Sequence, residues 1–192
     1  MKRQTGFTIV EMLVTMVIAV ILATVGVPSM VETVRNNRIA TTTNQYIATI
    51  YAARAEAIKR NVPVSICASA NSTAASPACG GGAGYEDGWV VFAEVGAGEP
   101  DGTIDDDDIV LRVNESVRGE AAPAAPSITI RGQGNLVNRV SFRPNGLIQN
   151  ALGGSLTVCD SRGASKAQRI VLAASGRTRL DDSPESPECV TS

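Results

Sequence analysis

Apolar residues dominate the first part of the chain, and Glu11 is the only formally charged residue between positions 7 and 27. As a helix that rises 1.5 Å per residue, this run spans about 31 Å, which is the thickness of the hydrocarbon core of a bilayer. We therefore predict that residues 7–27 form a transmembrane helix. The single carboxylate needs a reason, because a charge inside a membrane is costly and usually marks a function.

The helical pattern continues beyond this apolar run. Charged residues there interleave with four apolar residues at helical spacing: Ile47, Ile50, Tyr51 and Ile58. We predict one helix over residues 7–60, about 80 Å long, whose second half covers a globular head over residues 61–192. Pro28 is expected to bend this helix. Residues 41–44 are a weak stretch, because β-branched residues and Asn are poor helix formers.

From residue 61 onward the pattern changes to short strands separated by Gly, Pro, Asn and Ser. The predicted strands cover residues 62–68, 88–94, 109–113, 127–131, 139–143, 155–159 and 168–174. Short strands at regular spacing favour a β-sandwich or two small packed sheets. With the long helix packed on them, the expected fold class is α+β. Strands and helices do not alternate, so a Rossmann domain is not expected.

The composition excludes several kinds of chemistry. The chain contains no histidine, which excludes His-based acid–base catalysis, catalytic triads that need His, and imidazole metal sites. No two carboxylates form a convincing acid–base pair either, so we expect no enzyme activity, no cofactor and no resident metal. Aromatic residues make up only 4% of the chain, so the core is expected to be aliphatic.

The acidic segment Asp101-Gly102-Thr103-Ile104-Asp105-Asp106-Asp107-Asp108 groups oxygen atoms of the kind that bind Ca²⁺. It lacks the EF-hand order of ligands, in which Gly is the sixth residue and Glu the twelfth. We therefore expect a solvated turn, and calcium binding stays open as an alternative.

The four cysteines all lie beyond the first apolar segment. An even number of cysteines there fits disulfides in an oxidising compartment, and four cysteines allow three pairings. We favour the sequential pairing, Cys67–Cys79 and Cys159–Cys189, because each bond then closes a loop rich in Gly, Pro or Ser. Free buried thiols are the alternative.

The extreme N-terminus carries a specific motif. Lys2 and Arg3 flank the apolar run and hold that end in the cytoplasm, so the rest of the chain faces outward. The apolar run is longer than that of a secretory signal, and no A-x-A-like cleavage site follows it. The following stretch, Gly6-Phe7-Thr8-Ile9-Val10-Glu11, resembles the processing site of type IV prepilins and pseudopilins.

That resemblance implies four things about the N-terminal region. Residues 1–6 would be a leader peptide that prepilin peptidase removes by cutting between Gly6 and Phe7. The new terminal Phe7 would be N-methylated, and Glu11 would pair with the terminal amine of a neighbouring subunit during assembly. Pro28 matches the helix-kinking proline of the family.

Several segments of the head resemble the GspH/FimT-type minor pilins. These are Gly88-Trp89-Val90-Val91-Phe92, the acidic turn leading into Ile109-Val110-Leu111-Arg112, Phe142-Arg143-Pro144-Asn145-Gly146 and Ser175-Gly176-Arg177-Thr178-Arg179. The resemblance implies the type IV pilin fold, with a long N-terminal helix on a β-sandwich-like head. It also implies a single-pass protein of the inner membrane with a periplasmic head, which then joins other pilins in a type IV pilus at the cell surface, at or near the filament tip.

Charge is segregated along the head although the chain as a whole has a net charge of only −2. Residues 80–120 contain eleven acids and two bases, whereas residues 131–179 contain eight bases and one acid. The C-terminal half of the head is therefore a candidate surface for a polyanion.

Within that basic half, Gly176-Arg177-Thr178-Arg179 is the sharpest element. If the chain is extended there, Arg177 and Arg179 point to one face about 6.6 Å apart and reach successive phosphates of one DNA strand. Gly176 would form a turn or let the backbone approach the ligand. The motif resembles the DNA-binding motif of the FimT type, which implies DNA binding and DNA uptake in natural transformation. Because the sequence offers neither aromatic residues for base stacking nor a recognition helix, we expect nonspecific binding through backbone phosphates. From local charge alone we add Arg162, Lys166 and Arg169 to the candidate DNA site.

Three alternatives stay open. The arginines could be a solvated charged strand that pairs with the acidic half of the head. The chain could be a pilus-priming minor pilin without DNA affinity. It could also be a minor pseudopilin of type II secretion, whose partners are proteins.

Overall fold

The computed structural model describes residues 8–96, 102–118, 128–149, 153–181 and Cys189. The chain divides into two compact units, Met1–Asn37 and Arg38–Ser192. One helix, α1 (Ile9–Arg60), runs from the first unit into the second. This agrees closely with the helix that the sequence predicts over 7–60.

The first unit consists of the N-terminal part of α1. Thr8 caps the helix, because its side-chain Oγ1 accepts the backbone N–H of Glu11 at 3.3 Å and its carbonyl accepts that of Met12 at 3.2 Å. The apolar side chains that follow are exposed, and the helix is long and apolar enough to cross a membrane. Pro28 lies inside the helix. Gly6 and Phe7, the predicted cleavage and methylation residues, lie outside the described residues.

In the second unit, α1 buries one face in the core of the head. The fully buried apolar residues of that face follow helical spacing: Ile39, Tyr46, Ile50, Ala53 and Ala57. Tyr51 and Ile58, which the sequence pattern placed with Ile50, are about half exposed instead. Thr42 and Thr43 are buried and helical, so the predicted weak stretch does not interrupt the helix.

The described part of the head contains eight short strands, whose bounds are β1 (Val64–Ala68), β2 (Trp89–Ala93), β3 (Ile109–Asn114), β4 (Thr129–Gly132), β5 (Arg139–Phe142), β6 (Gly154–Cys159), β7 (Gln168–Leu172) and β8 (Thr178–Asp181). They form two four-stranded sheets, with the orders β3-β2-β1-β5 and β4-β6-β7-β8. Every pairing within them is antiparallel. The predicted α+β class and the two small sheets are confirmed.

The core lies between the helix and the two sheets, and it is not purely aliphatic. Five of the seven aromatic residues are at most 1% exposed: Tyr46, Tyr85, Trp89, Phe92 and Phe142. The ring of Tyr46 packs edge-on against those of Tyr85 and Trp89, each with centroids 5.3 Å apart. The expectation of an aliphatic core was wrong, because four of these rings lie in the main buried cluster with the helix, while Phe92 lies in a smaller cluster with Cys67 and Val90.

Both disulfides are present in the sequential pairing that we favoured. Cys67 at the end of β1 is bonded to Cys79, and Cys159 at the end of β6 is bonded to Cys189. All four cysteines are therefore used. The second bond ties the C-terminal end of the chain to the sheet that contains β7 and β8.

Candidate nucleic-acid interface

The Gly-Arg-x-Arg motif lies at a tight hairpin between β7 and β8. Ala173 donates its N–H to the carbonyl of Arg177 at 2.9 Å, and Gly176 donates its N–H to the carbonyl of Ala173 at 2.8 Å. Gly176 has a φ of +75°, the left-handed conformation that such a turn requires and that glycine adopts at little cost. Gly176 therefore forms the turn, which is one of the two roles that the sequence suggested.

This hairpin changes the predicted strand pattern. The sequence pattern predicts a strand over residues 168–174, and the expected common face of Arg177 and Arg179 required an extended chain at the motif. In the structure β7 ends at Leu172, the chain reverses, and a separate strand β8 begins at Thr178. Arg177 is thus the last residue before β8, and Arg179 lies within it.

The two arginines lie on the outer face of this sheet. Arg179 pairs with Val171 on β7, while the neighbouring β7 residues Ile170 and Leu172 are fully buried on the inner face. Residues two apart along a strand share a face. Arg177 and Arg179 accordingly line one cavity of about 290 Å³ together with Val171 and three other small or polar residues: Ala173, Ser175 and Thr178.

Arg169 extends this surface along β7. It pairs with Thr157 on β6 and with Asp181 on β8, so it lies on the same outer face. Arg169, Arg179 and Asp181 line a second, open depression of about 670 Å³. We call the surface formed by Arg169, Arg177 and Arg179 the arginine face. Among the described residues that line it, Asp181 supplies a carboxylate.

The guanidinium groups of Arg177 and Arg179 are available to an anion. Both residues are exposed. Among the described residues, no ion pair within 4.0 Å involves either of them. An exposed arginine pair of this kind can bind phosphate groups through planar, two-pronged hydrogen bonds.

The other two predicted DNA-site residues do not line either depression. Arg162 forms an ion pair with Asp160, with Nη2 2.7 Å from Oδ2 and Nε 2.9 Å from the same oxygen. Both side chains are largely buried, so the guanidinium is engaged within the head. Lys166 is exposed at the end of the short 3₁₀ helix Ala164–Lys166, which precedes β7. The arginine face therefore includes Arg169 but neither Arg162 nor Lys166.

Sequence analysis missed one residue that contacts the motif directly. Arg54 on α1 donates a hydrogen bond from Nη1 to the carbonyl oxygen of Gly176 at 3.2 Å. In the sequence, Arg54 is only one of the charged residues interleaved along the helix. Because it lies 122 residues from Gly176, no local pattern could have joined the two.

In the acidic loop, whose described residues are 102–108, the side chain of Asp108 accepts two backbone hydrogen bonds. Asp108 accepts the N–H of Val95 on one side-chain oxygen and the N–H of Asp105 on the other, each at 3.1 Å. Within the described part of the chain, no three carboxylate or thiol groups converge as metal ligands. Asp101 lies outside the described residues.

Comparisons with known proteins give a family from the sequence models and a fold from solved structures. The family model "Type II transport protein GspH" matches residues 42–176, and the model of the prokaryotic N-terminal methylation motif matches residues 1–27. Arg177 and Arg179 thus directly follow the matched GspH range. Among curated protein sequences, the search finds no significant match to this chain.

Two crystal structures of the type IV minor pilin FimU from Pseudomonas aeruginosa (strain PAO1) are similar to this chain. One has 16% sequence identity and a TM-score of 0.57, and the match covers 80% of this chain and 95% of that one. The other has 15% identity and a TM-score of 0.54, and covers 78% and 98%. At these identities the similarity shows the fold, which is that of type IV pilins.

Proposed function

The chain belongs to the GspH family and is a minor pilin of the GspH/FimT type, and we propose that its head binds DNA nonspecifically as part of a type IV pilus. The DNA would be held through its backbone phosphates and taken up in natural transformation. One observation carries the proposal: Arg177 and Arg179 are exposed on one face and lack an ion pair among the described residues.

The geometry of the hairpin suits a phosphate backbone. Residues i and i+2 of a β-strand are about 6.6 Å apart. At this spacing the guanidinium groups of Arg177 and Arg179 can both engage neighbouring phosphates of one DNA strand. Arg169 lies on the adjacent strand and would add a third contact. Asp181 opposite Arg169 weakens the local positive potential, so the affinity of one head should be modest.

Binding of this kind reads no base sequence. The residues that line the two depressions include no aromatic side chain on which a base could stack. Phosphate contacts position a protein on DNA but carry no sequence information. Several heads engaging one DNA molecule would raise the affinity without any new contact.

We further propose that the N-terminus is processed and used as in other prepilins. The match of the methylation motif to residues 1–27 supports cleavage between Gly6 and Phe7 and methylation of Phe7. Glu11 then lies in the first turn of an exposed apolar helix, where its carboxylate can pair with the terminal amine of a neighbouring subunit. The partners are prepilin peptidase and other pilins.

The same segment supports the location. The apolar helix would hold the precursor in the inner membrane, and Lys2 and Arg3 would keep the leader in the cytoplasm. The head would then face the periplasm, where both disulfides can form. Assembly would carry it into a pilus at the cell surface.

The experiment uses the unit Arg38–Ser192, which contains both disulfides and all the core residues that are buried in the described part of the chain. We expect this head to shift duplex DNA in a gel at low salt. The double variant Arg177→Ala, Arg179→Ala should lose most of the shift. Each single variant should reduce the slope of log affinity against log salt by about one.

The matched control is Arg112→Ala, which removes one exposed arginine from the edge strand β3 of the other sheet. It should leave affinity and salt slope near those of the wild type. A double variant that binds like the wild type would refute the assignment of the site. A wild-type head that binds no DNA would favour a priming minor pilin, or the type II secretion pseudopilin that the name of the matched family suggests.

A further inference from the structure

Arg54 of α1 lies against two hairpin turns of the head at once. Its Nη1 donates to the carbonyl oxygen of Gly176 at 3.2 Å. Its Nε is buried and has no hydrogen-bond partner among the described residues. The guanidinium is therefore partly buried against the head.

The two turns have the same hydrogen-bond pattern and are in contact with each other. In the first, Arg143 donates its N–H to the carbonyl of Leu147, and Gly146 donates to that of Arg143, each at 2.8 Å. The β7–β8 hairpin repeats this pattern, and its glycine, Gly176, has a φ of +75° against +76° for Gly146. Ile148 donates its N–H to the carbonyl of Ala174 at 3.1 Å, which joins the two turns.

The two glycines leave the space that the guanidinium occupies. A Cβ on either Gly146 or Gly176 would lie 3.1 Å from Nε of Arg54. A Cβ on Gly176 would also lie 2.6 Å from the carbonyl oxygen of Gly146. Both turns can approach Arg54 only because they carry no side chain at these positions.

We propose that Arg54 is a positioning residue for the arginine face, which it orients without touching DNA; this rests on the proposed function. The carbonyl that Arg54 holds belongs to the peptide group between Gly176 and Arg177. Because a peptide group is planar and rigid, fixing its oxygen also fixes the direction in which the chain enters Arg177. Arg54 thus sets where the first arginine of the motif points relative to Arg179.

The test compares Arg54→Met with Arg60→Met in the full chain purified in detergent. Methionine keeps the apolar stem of Arg54 and removes the guanidinium. Arg60 lies on the same helix, is more exposed and, within the described parts of the chain, pairs with Glu56, so its substitution controls for the loss of one charge. The readouts are duplex DNA affinity, its salt dependence, and hydrogen exchange in the peptide that covers residues 173–177.

We expect Arg54→Met to accelerate amide exchange in this turn about tenfold, as the loss of a charge-assisted hydrogen bond implies. DNA affinity should fall several-fold with the salt slope unchanged, because no phosphate contact is lost. Arg60→Met should leave both near wild-type values. Arg54→Lys, which keeps a donor, should lie between the wild type and Arg54→Met, and it replaces Arg54→Met if that variant does not fold.

Two results would overturn the proposal. Unchanged exchange in Arg54→Met would show that Arg54 does not hold the turn. A salt slope reduced by about one, as expected for Arg177→Ala, would show that Arg54 itself contacts phosphate. If the wild-type chain binds no DNA, the proposed function fails, while the exchange measurement still decides whether Arg54 fixes the hairpin.

Discussion

Arg131 on β4 forms an ion pair with Glu86, a carboxylate that the head buries to 1% exposure. Arg118 approaches the same carboxylate at 3.5 Å and Asp87 at 2.8 Å. The backbone N–H of Ile130 donates to the other oxygen of Glu86 at 3.2 Å. Arg131, from the basic half of the head, thus neutralises Glu86, from the acidic half. The charge of Arg131 is therefore used within the fold and adds little to a positive surface.

This pairing predicts that Arg131 matters for stability rather than for DNA. In Arg131→Met, Glu86 would stay buried and, of the described cations, would keep the more distant Arg118, so we expect the free energy of unfolding to fall by about 1–3 kcal/mol. Urea unfolding of the head measures this. Arg112→Met, at an exposed position without an ion pair among the described residues, should change stability by no more than about 0.5 kcal/mol. Equal effects of the two substitutions would argue against the pairing.

The environment of Glu94, near the acidic loop, predicts an unusual dependence of folding stability on pH. Burial raises the pKa of Glu94 above its ordinary value of 4.5, although hydrogen bonds from Ser65 and from the N–H of Gly102 partly oppose this. The folded head therefore binds this proton more readily than the unfolded chain does. The contribution of Glu94 to stability is complete below about pH 4.5 and is lost as the pH rises through its folded pKa.

Glu94→Gln removes this titration, so the stability of the variant relative to the wild type should increase from pH 4 to pH 7. Urea unfolding of both proteins at several pH values measures the difference. Glutamine keeps an oxygen that can accept the hydroxyl of Ser65, so the core contact is preserved. A difference that stays constant with pH would mean that Glu94 titrates normally.

Most of the fold could be predicted from the sequence because its elements carry strong local patterns. Seven of the strands are bounded by turn residues, and one helix accounts for residues 9–60. The buried helix face could not be predicted, since Ala53 and Ala57 are small and give a weaker hydrophobic signal than Tyr51. Strand β8 has a single large apolar residue, Leu180, and it exists because the tight hairpin folds it against β7.

The candidate site, too, could be predicted from the sequence only in part. Arg177 and Arg179 are two residues apart, so their common face follows from strand geometry. The pairing of Arg162 with Asp160 is also local, but local charge counting treated Arg162 as a free cation. The contact between Arg54 and Gly176 depends on how the helix packs on the head, and a one-dimensional pattern contains no such information.

Gly81 and Gly176 provide a matched test of the contact between the two hairpins. Their φ angles are +71° and +75°, but a Cβ on Gly81 would meet no atom within 4 Å, whereas one on Gly176 would lie 2.6 Å from the carbonyl oxygen of Gly146. Alanine costs about 1–2 kcal/mol in the left-handed conformation at either site. Only Gly176→Ala must also push the hairpins apart, so it should lower the free energy of unfolding distinctly more than Gly81→Ala. Equal losses in urea unfolding would mean that the hairpins do not meet at Gly176.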